Sequence, residues 1–129
     1  MRRLLLRALV ASLLLSSVAA AQDPDPEAIA AALQLYQYRL LQAGTKLRGY
    51  PPEAVNARLE GSASVSLHIS AAGALTRRAV IQSSGHRVLD EHALALLEEA
   101  VPLTEIPLAL HNRAFIVRIV VAFVLPKEE

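Results

Sequence analysis

The run SASVSLHIS, Ser62 to Ser70, alternates without a break: Ala63, Val65, Leu67 and Ile69 fall on one face, and Ser62, Ser64, Ser66, His68 and Ser70 on the other. A period of two belongs to a half-buried β-strand with its serine side turned to water. Ala71-Ala72-Gly73 supplies a turn, and Leu75 to Ser83 returns as the hairpin partner with weaker alternation. The fold is therefore built around a hairpin in the middle of the chain.

Downstream of the hairpin, Ser83-Ser84-Gly85-His86 reads as a loop. Leu89 to Ala100 repeats apolar residues at Leu89, Ala93, Leu96, Leu97 and Ala100, with Asp90, Glu91, Glu98 and Glu99 outside, which predicts a helix lying across the sheet. Pro102 to Asn112 is a proline-punctuated crossing, and Ala114 to Leu125 is a β-rich strand. Upstream, Pro26 to Ala43 places Ile29, Leu33, Tyr36 and Leu40 on one helical stripe, and Gly44 is positioned to stop it. Tyr50-Pro51-Pro52 forces an extended entry, because a residue before proline is pushed out of the helical region. Pro52 then opens a short helix through Leu59, closed by Gly61. No internal repeat or low-complexity tract is present.

The last strand does not fit a hairpin partner. Phe115, Val117, Ile119, Val121, Phe123 and Leu125 form one apolar face, and the opposite face, Ala114, Ile116, Arg118, Val120, Ala122 and Val124, is apolar apart from Arg118. Twelve residues span roughly 40 Å at about 3.3 Å each, longer than a hairpin arm of eight or nine. Either the helix of Pro26 to Ala43 covers the second face, or the strand offers an edge and a face to another chain.

The chain has 129 residues, enough for one domain, and 53% of them are hydrophobic, enough for a core. Part of that figure comes from the N-terminus, where Arg2, Arg3 and Arg7 precede an apolar run from Ala8 to Val18 and then Ala19-Ala20-Ala21. This has the parts of a secretory signal, with cleavage expected after Ala21. The alternative is an uncleaved inner-membrane anchor facing the periplasm, for which the run is short against the roughly 20 apolar residues a span needs. Cleavage would remove three of 13 basic residues and none of 12 acidic ones, leaving a net charge of −2. That charge, with no clustered basic face, excludes a nucleic-acid binder. There is no cysteine, so disulfides, thiol chemistry and cysteine zinc sites are excluded, and stability rests on packing. The expected organisation is a signal at 1–21, a lead-in and amphipathic helix at 22–49, and a folded unit at 50–126.

Candidate chemistry is sparse. Ser84, His86 and Asp90 are the residue types of a hydrolytic triad, but a triad is defined by geometry, and no Gly-x-Ser-x-Gly elbow surrounds the serine. The plainer reading ends a strand at Ser83-Ser84, turns at Gly85 and puts Asp90 in a first helical turn, where a carboxylate suits the dipole. His68, His86, His92 and His111 form no metal-binding spacing. Glu91 and Glu98 sit two turns apart on a solvated helical face, within reach of Arg77 and Arg78. Isolated glycines make no phosphate loop, and no cofactor is implied. Tyr50 beside Pro51 is either an exposed recognition aromatic or a packed hinge tyrosine.

The succession Tyr50-Pro51, Ala54, Gly61, Val65, Leu67, Ile69, Gly73, Leu75, Val80, Ser83-Ser84-Gly85, Leu89-Asp90, Ala93, Ala100, Pro102, Pro107 and Phe115 to Leu125 resembles the C-terminal domain of the TonB energy-transducer family. The resemblance implies an α+β fold with helices packed on a three-stranded antiparallel sheet, preceded here by the amphipathic helix. It implies a non-enzymatic periplasmic module that couples an inner-membrane motor to outer-membrane transporters. Contact in the family is by strand addition, a transporter segment pairing with the last strand near the Tyr-Pro entry. Carried over, the partner-binding positions are Tyr50, Pro51, Phe115, Val117, Arg118, Ile119 and Val121. Two departures stand out: the expected signal nearly abuts the folded part, where full transducers have a long proline-rich spacer, and Pro102-Leu103-Thr104 lacks the aromatic many relatives place beside proline. The competing expectations are a homodimeric envelope scaffold of the TolA kind and a small periplasmic hydrolase using Ser84 and His86.

Overall fold

Asp25 starts the first helix of the described residues, its side chain accepting the Ala28 N–H at 2.7 Å while Pro26 takes a position where a missing N–H costs nothing. In the computed structural model, which describes residues 24–127, this helix, α1, runs Pro26–Leu47; the N-terminal signal expected at 1–21 lies outside the described residues. The predicted stripe is its inner side. Tyr36 and Leu40 are fully buried, Ile29 and Leu33 are packed against the core, and Ala32 and Gly44 extend the line. Gly44 does not stop the helix as expected. A Cβ there would lie 2.5 Å from Leu96 Cδ1 and 3.1 Å from the Leu96 carbonyl oxygen, so the missing side chain serves a close helix crossing and not a left-handed cap.

The second helix, α2, spans Pro52–Asn56 and ends short of the expected Leu59. Arg58 turns the chain with φ +53°, and Gly61 opens the next strand, where a Cβ would meet the Ser84 carbonyl oxygen at 2.5 Å. Three strands follow in the chain, β1 Gly61–Ile69, β2 Leu75–Gln82 and β3 Phe115–Phe123, with helix α3, Arg87–Ala100, between the last two. The sheet order is β2-β1-β3 and both pairings are antiparallel. Gly73, at φ +86°, closes the hairpin by donating its N–H to the Ser70 carbonyl at 2.9 Å. The weak alternation of β2 has a cause: register shifts at Ser64/Val65 and His68/Ile69 skip Ile81 and Thr76 in the pairing with β1.

β3 corrects the expected overhang. Its nine residues pair with all nine of β1, from Gly61↔Phe123 to Ile69↔Phe115. The partner is the central strand, equal to it in length, so the outer edge and outer face are what remain. β1's serine face is also drier than its pattern predicts: Ser66, flanked by Ala79 and Arg118, is buried. Both neighbouring strands shield it.

Val65, Leu67, Ile69, Val117, Ile119, Val121 and Phe123 turn inward beneath α1 and α3, and α3 contributes Leu89, Ala93, Leu96, Leu97 and Ala100 as its pattern requires. The proline-rich crossing holds two 3-10 turns, Val101–Leu103 and Leu108–Leu110. α1 packs on α3 and against β3, its Tyr36 ring meeting Phe115 edge to face at 5.5 Å. It does not cover the far side of the sheet, where Ile116 and Val120 stay 51% and 58% exposed. Among the described residues, no helix is long and apolar enough to cross a membrane.

Candidate functional site: the outer edge of β3

Backbone groups along an antiparallel strand face its neighbour and the outside alternately. Leu125, which continues the odd-numbered series Phe115, Val117, Ile119, Val121 and Phe123, donates its N–H to the side chain of Glu60, just before β1, at 2.8 Å. Arg118, of the other parity, accepts a hydrogen bond from outside: Gln37 Nε2 of α1 donates to its carbonyl oxygen at 2.6 Å. The N–H and C=O groups of Ile116, Arg118, Val120 and Ala122 therefore form the outer edge. A groove of about 410 Å³ runs beside it, lined by Gln34, Gln37, Tyr38 and Leu41 of α1 and by Arg118, Ile119 and Val120.

The sequence-derived binding residues divide by this parity. Val117, Ile119 and Val121 are buried with their side chains in the core, and Phe115 is half-buried against Tyr36. Their contribution to an edge contact is to hold the strand flat. Arg118 has both an exposed side chain and an outward backbone. Ile116, Val120 and Ala122 share that placement and were missed by the resemblance. Gln37 was missed too, because one glutamine on a polar helix face carries no signal in sequence.

Tyr50 is a packed hinge residue. Its hydroxyl donates to the Leu59 carbonyl and its ring meets Phe123 edge to face at 5.6 Å. Burial, with the Glu60 charge, raises the pKa of its phenol. Pro51, next in the chain, is buried. His92 completes the corner, its ring 5.9 Å from Phe123 and its Nε2 2.6 Å from the Gly49 oxygen. The Tyr-Pro entry thus clamps the far end of β3, with the Tyr50 ring half-buried against it.

The serine cluster is a loop clamp. Asp90 receives the Ser83 hydroxyl at 2.5 Å and the Ser84 N–H at 2.8 Å, and Ser84 Oγ lies 2.7 Å from the same carboxylate. Burial is the largest single effect on Asp90 and opposes its ionisation, but the bonds from Ser83 and Ser84 with the His86 charge outweigh it and hold the carboxyl below its ordinary range. The serine meets the aspartate directly, and His86 meets Ser84 through its backbone. A triad requires the imidazole between them. Among the described residues, no group of three or more His, Asp or Glu is placed to hold a metal. Arg78 pairs with Glu98 at 3.3 Å on the surface, where such a bridge contributes little.

The family model of the Gram-negative bacterial TonB protein C-terminal matches residues 47–125, from the last residue of α1 to just past β3. Two solution NMR structures of the Helicobacter pylori TonB C-terminal domain resemble the chain. That of its residues 179–285 has a TM-score of 0.64 at 23% identity and covers 84% of this chain and 100% of its own. That of residues 194–285 has a TM-score of 0.58 at 25% identity, covering 72% and 97%. No curated protein gives a significant match. A match over more than half the chain, on the sheet and helices described above, shows that this chain belongs to the TonB C-terminal family.

Proposed function

We propose that this domain is a non-enzymatic protein-binding module of the periplasm that takes a partner segment as a fourth strand on the outer edge of β3. The observation that carries this reading is the parity of β3, which leaves the backbone groups of Ile116, Arg118, Val120 and Ala122 on the outside of a strand whose other edge is fully paired. Main-chain bonds to such an edge supply affinity, and alternate side chains supply specificity. Family membership supports a TonB-dependent outer-membrane transporter as the source of the segment, and a role in energy transduction for transport across that membrane. Arg118 is the one residue of the proposed binding set, Tyr50, Pro51, Phe115, Val117, Arg118, Ile119 and Val121, that offers both side chain and backbone. Secretion through the apolar N-terminal run belongs to the same proposal.

Titration of the isotope-labelled protein with peptides copying the periplasm-facing N-terminal segments of co-encoded outer-membrane transporters tests this reading. Saturable amide shifts concentrated at Ile116, Arg118, Val120 and Ala122 are expected. Shifts absent from β3 with every such peptide would sink it. A second reading, a homodimer pairing two β3 edges, draws on the exposed Ile116, Val120 and Val124, and a concentration-dependent sedimentation coefficient in the unliganded protein would favour it.

A further inference from the structure

An exposed edge strand is an aggregation hazard that folded proteins blunt with bulges, charges or a covering element. β3 has no register shift against β1 and one charged residue, Arg118. The blunting element is α1. Gln37 holds the Arg118 carbonyl at 2.6 Å, where the N–H of an added strand would donate, and its neighbour Tyr36 is fully buried against Phe115, which fixes that turn of the helix beside the edge. Gln34, Tyr38 and Leu41 continue the wall along the groove.

We propose that Gln37 is a built-in guard of the β3 edge, a side-chain amide that stands in for a strand and must turn aside before a partner pairs. The proposal rests on the strand-addition reading above. The contact is a neutral side-chain bond to backbone on an exposed residue, so its removal is a small step. A stray segment making one bond to the edge gains nothing by displacing it, whereas a segment pairing along Ile116 to Ala122 makes several. The guard therefore selects against short or irregular contacts and leaves continuous strands able to bind.

The test uses the whole chain and a defined probe, the peptide SASVSLH, which copies residues 62–68 of β1, the strand β3 already pairs with. Binding is followed by the β3 amide shifts in wild type, Gln37→Met, which keeps length without a donor, and Gln37→Ala, which also clears the groove. One lost neutral hydrogen bond corresponds to a twofold to tenfold tighter dissociation constant in the variants, with thermal midpoints close to wild type. Equal or weaker binding by both variants, with wild type still binding, overturns the guard and leaves strand addition standing. No β3 shifts in any of the three proteins at millimolar peptide overturns both.

Discussion

Tyr36 carries the clearest residue-level tension. Its hydroxyl is buried with no hydrogen-bond partner among the described residues, and burial pushes its pKa from 10.0 up to about 12. An unsatisfied buried hydroxyl costs about 1–3 kcal/mol, while the ring's contact with Phe115 is kept by phenylalanine. Tyr36→Phe is expected to raise stability by about 1 kcal/mol or more in urea unfolding. The raised pKa also sets an alkaline limit: the neutral phenol's advantage is complete below the unfolded value of 10.0 and is lost as pH rises through about 12. Over that window the wild type should lose stability and the phenylalanine variant should lose less. Asp90 has the opposite sign. Its folded pKa lies below the ordinary 3.8, so its contribution is present above that value and disappears as pH falls through the lower folded one. Asp90→Asn should lower the thermal midpoint at neutral pH and flatten its decline in acid; an unchanged acid profile would remove the clamp from the account of the loop.

Among the elements, α1 and β3 decide most. Where α1 crosses α3, a side chain at Gly44 meets the Leu96 carbonyl, which cannot rotate away, so the overpacking cost of about 1–3 kcal/mol exceeds the few tenths that valine gains over glycine in a helix. Gly44→Val is therefore expected to destabilise by about 2 kcal/mol in denaturant unfolding, whereas the same change at Gly49, which has open space around it, should be close to neutral. In β3 the two parities respond differently to proline. Val120→Pro removes an outward N–H, which an edge strand tolerates, and should leave the fold intact while abolishing partner pairing. Val121→Pro removes a bond to β1 and should unfold the protein. Circular dichroism and peptide titration of the pair distinguish edge from ladder.

At the scale of the whole molecule, the sheet has one face packed by helices and one that the described residues leave open. Ile116, Val120 and Val124 give the open face an apolar stripe beside the free edge, on residues that carry no core packing. Val120→Lys should change stability by less than about 0.5 kcal/mol yet weaken any partner or self-contact that uses this face, and sedimentation and titration report the two separately. The alternation of Ser62 to Ser70, the α3 repeat from Leu89 to Ala100 and the stripe through Tyr36 and Leu40 were legible in the chain, because each encodes which side of a local element faces apolar surroundings. So was the family. Less legible were the positions where two distant segments meet. Gly44 and Gly61 looked like helix stops and proved to be close approaches to Leu96 and Ser84, and Tyr50 proved to be a clamp on Phe123.

Local periodicity thus determined the elements and the class of fold, since hydrophobic pattern and backbone geometry act over a few residues. Which strand lies between the other two, which backbone groups of β3 point outward, and that Gln37 reaches Arg118 across 81 positions were decided by tertiary structure alone. Those features depend on register and on non-local packing, and neither leaves a period in the sequence.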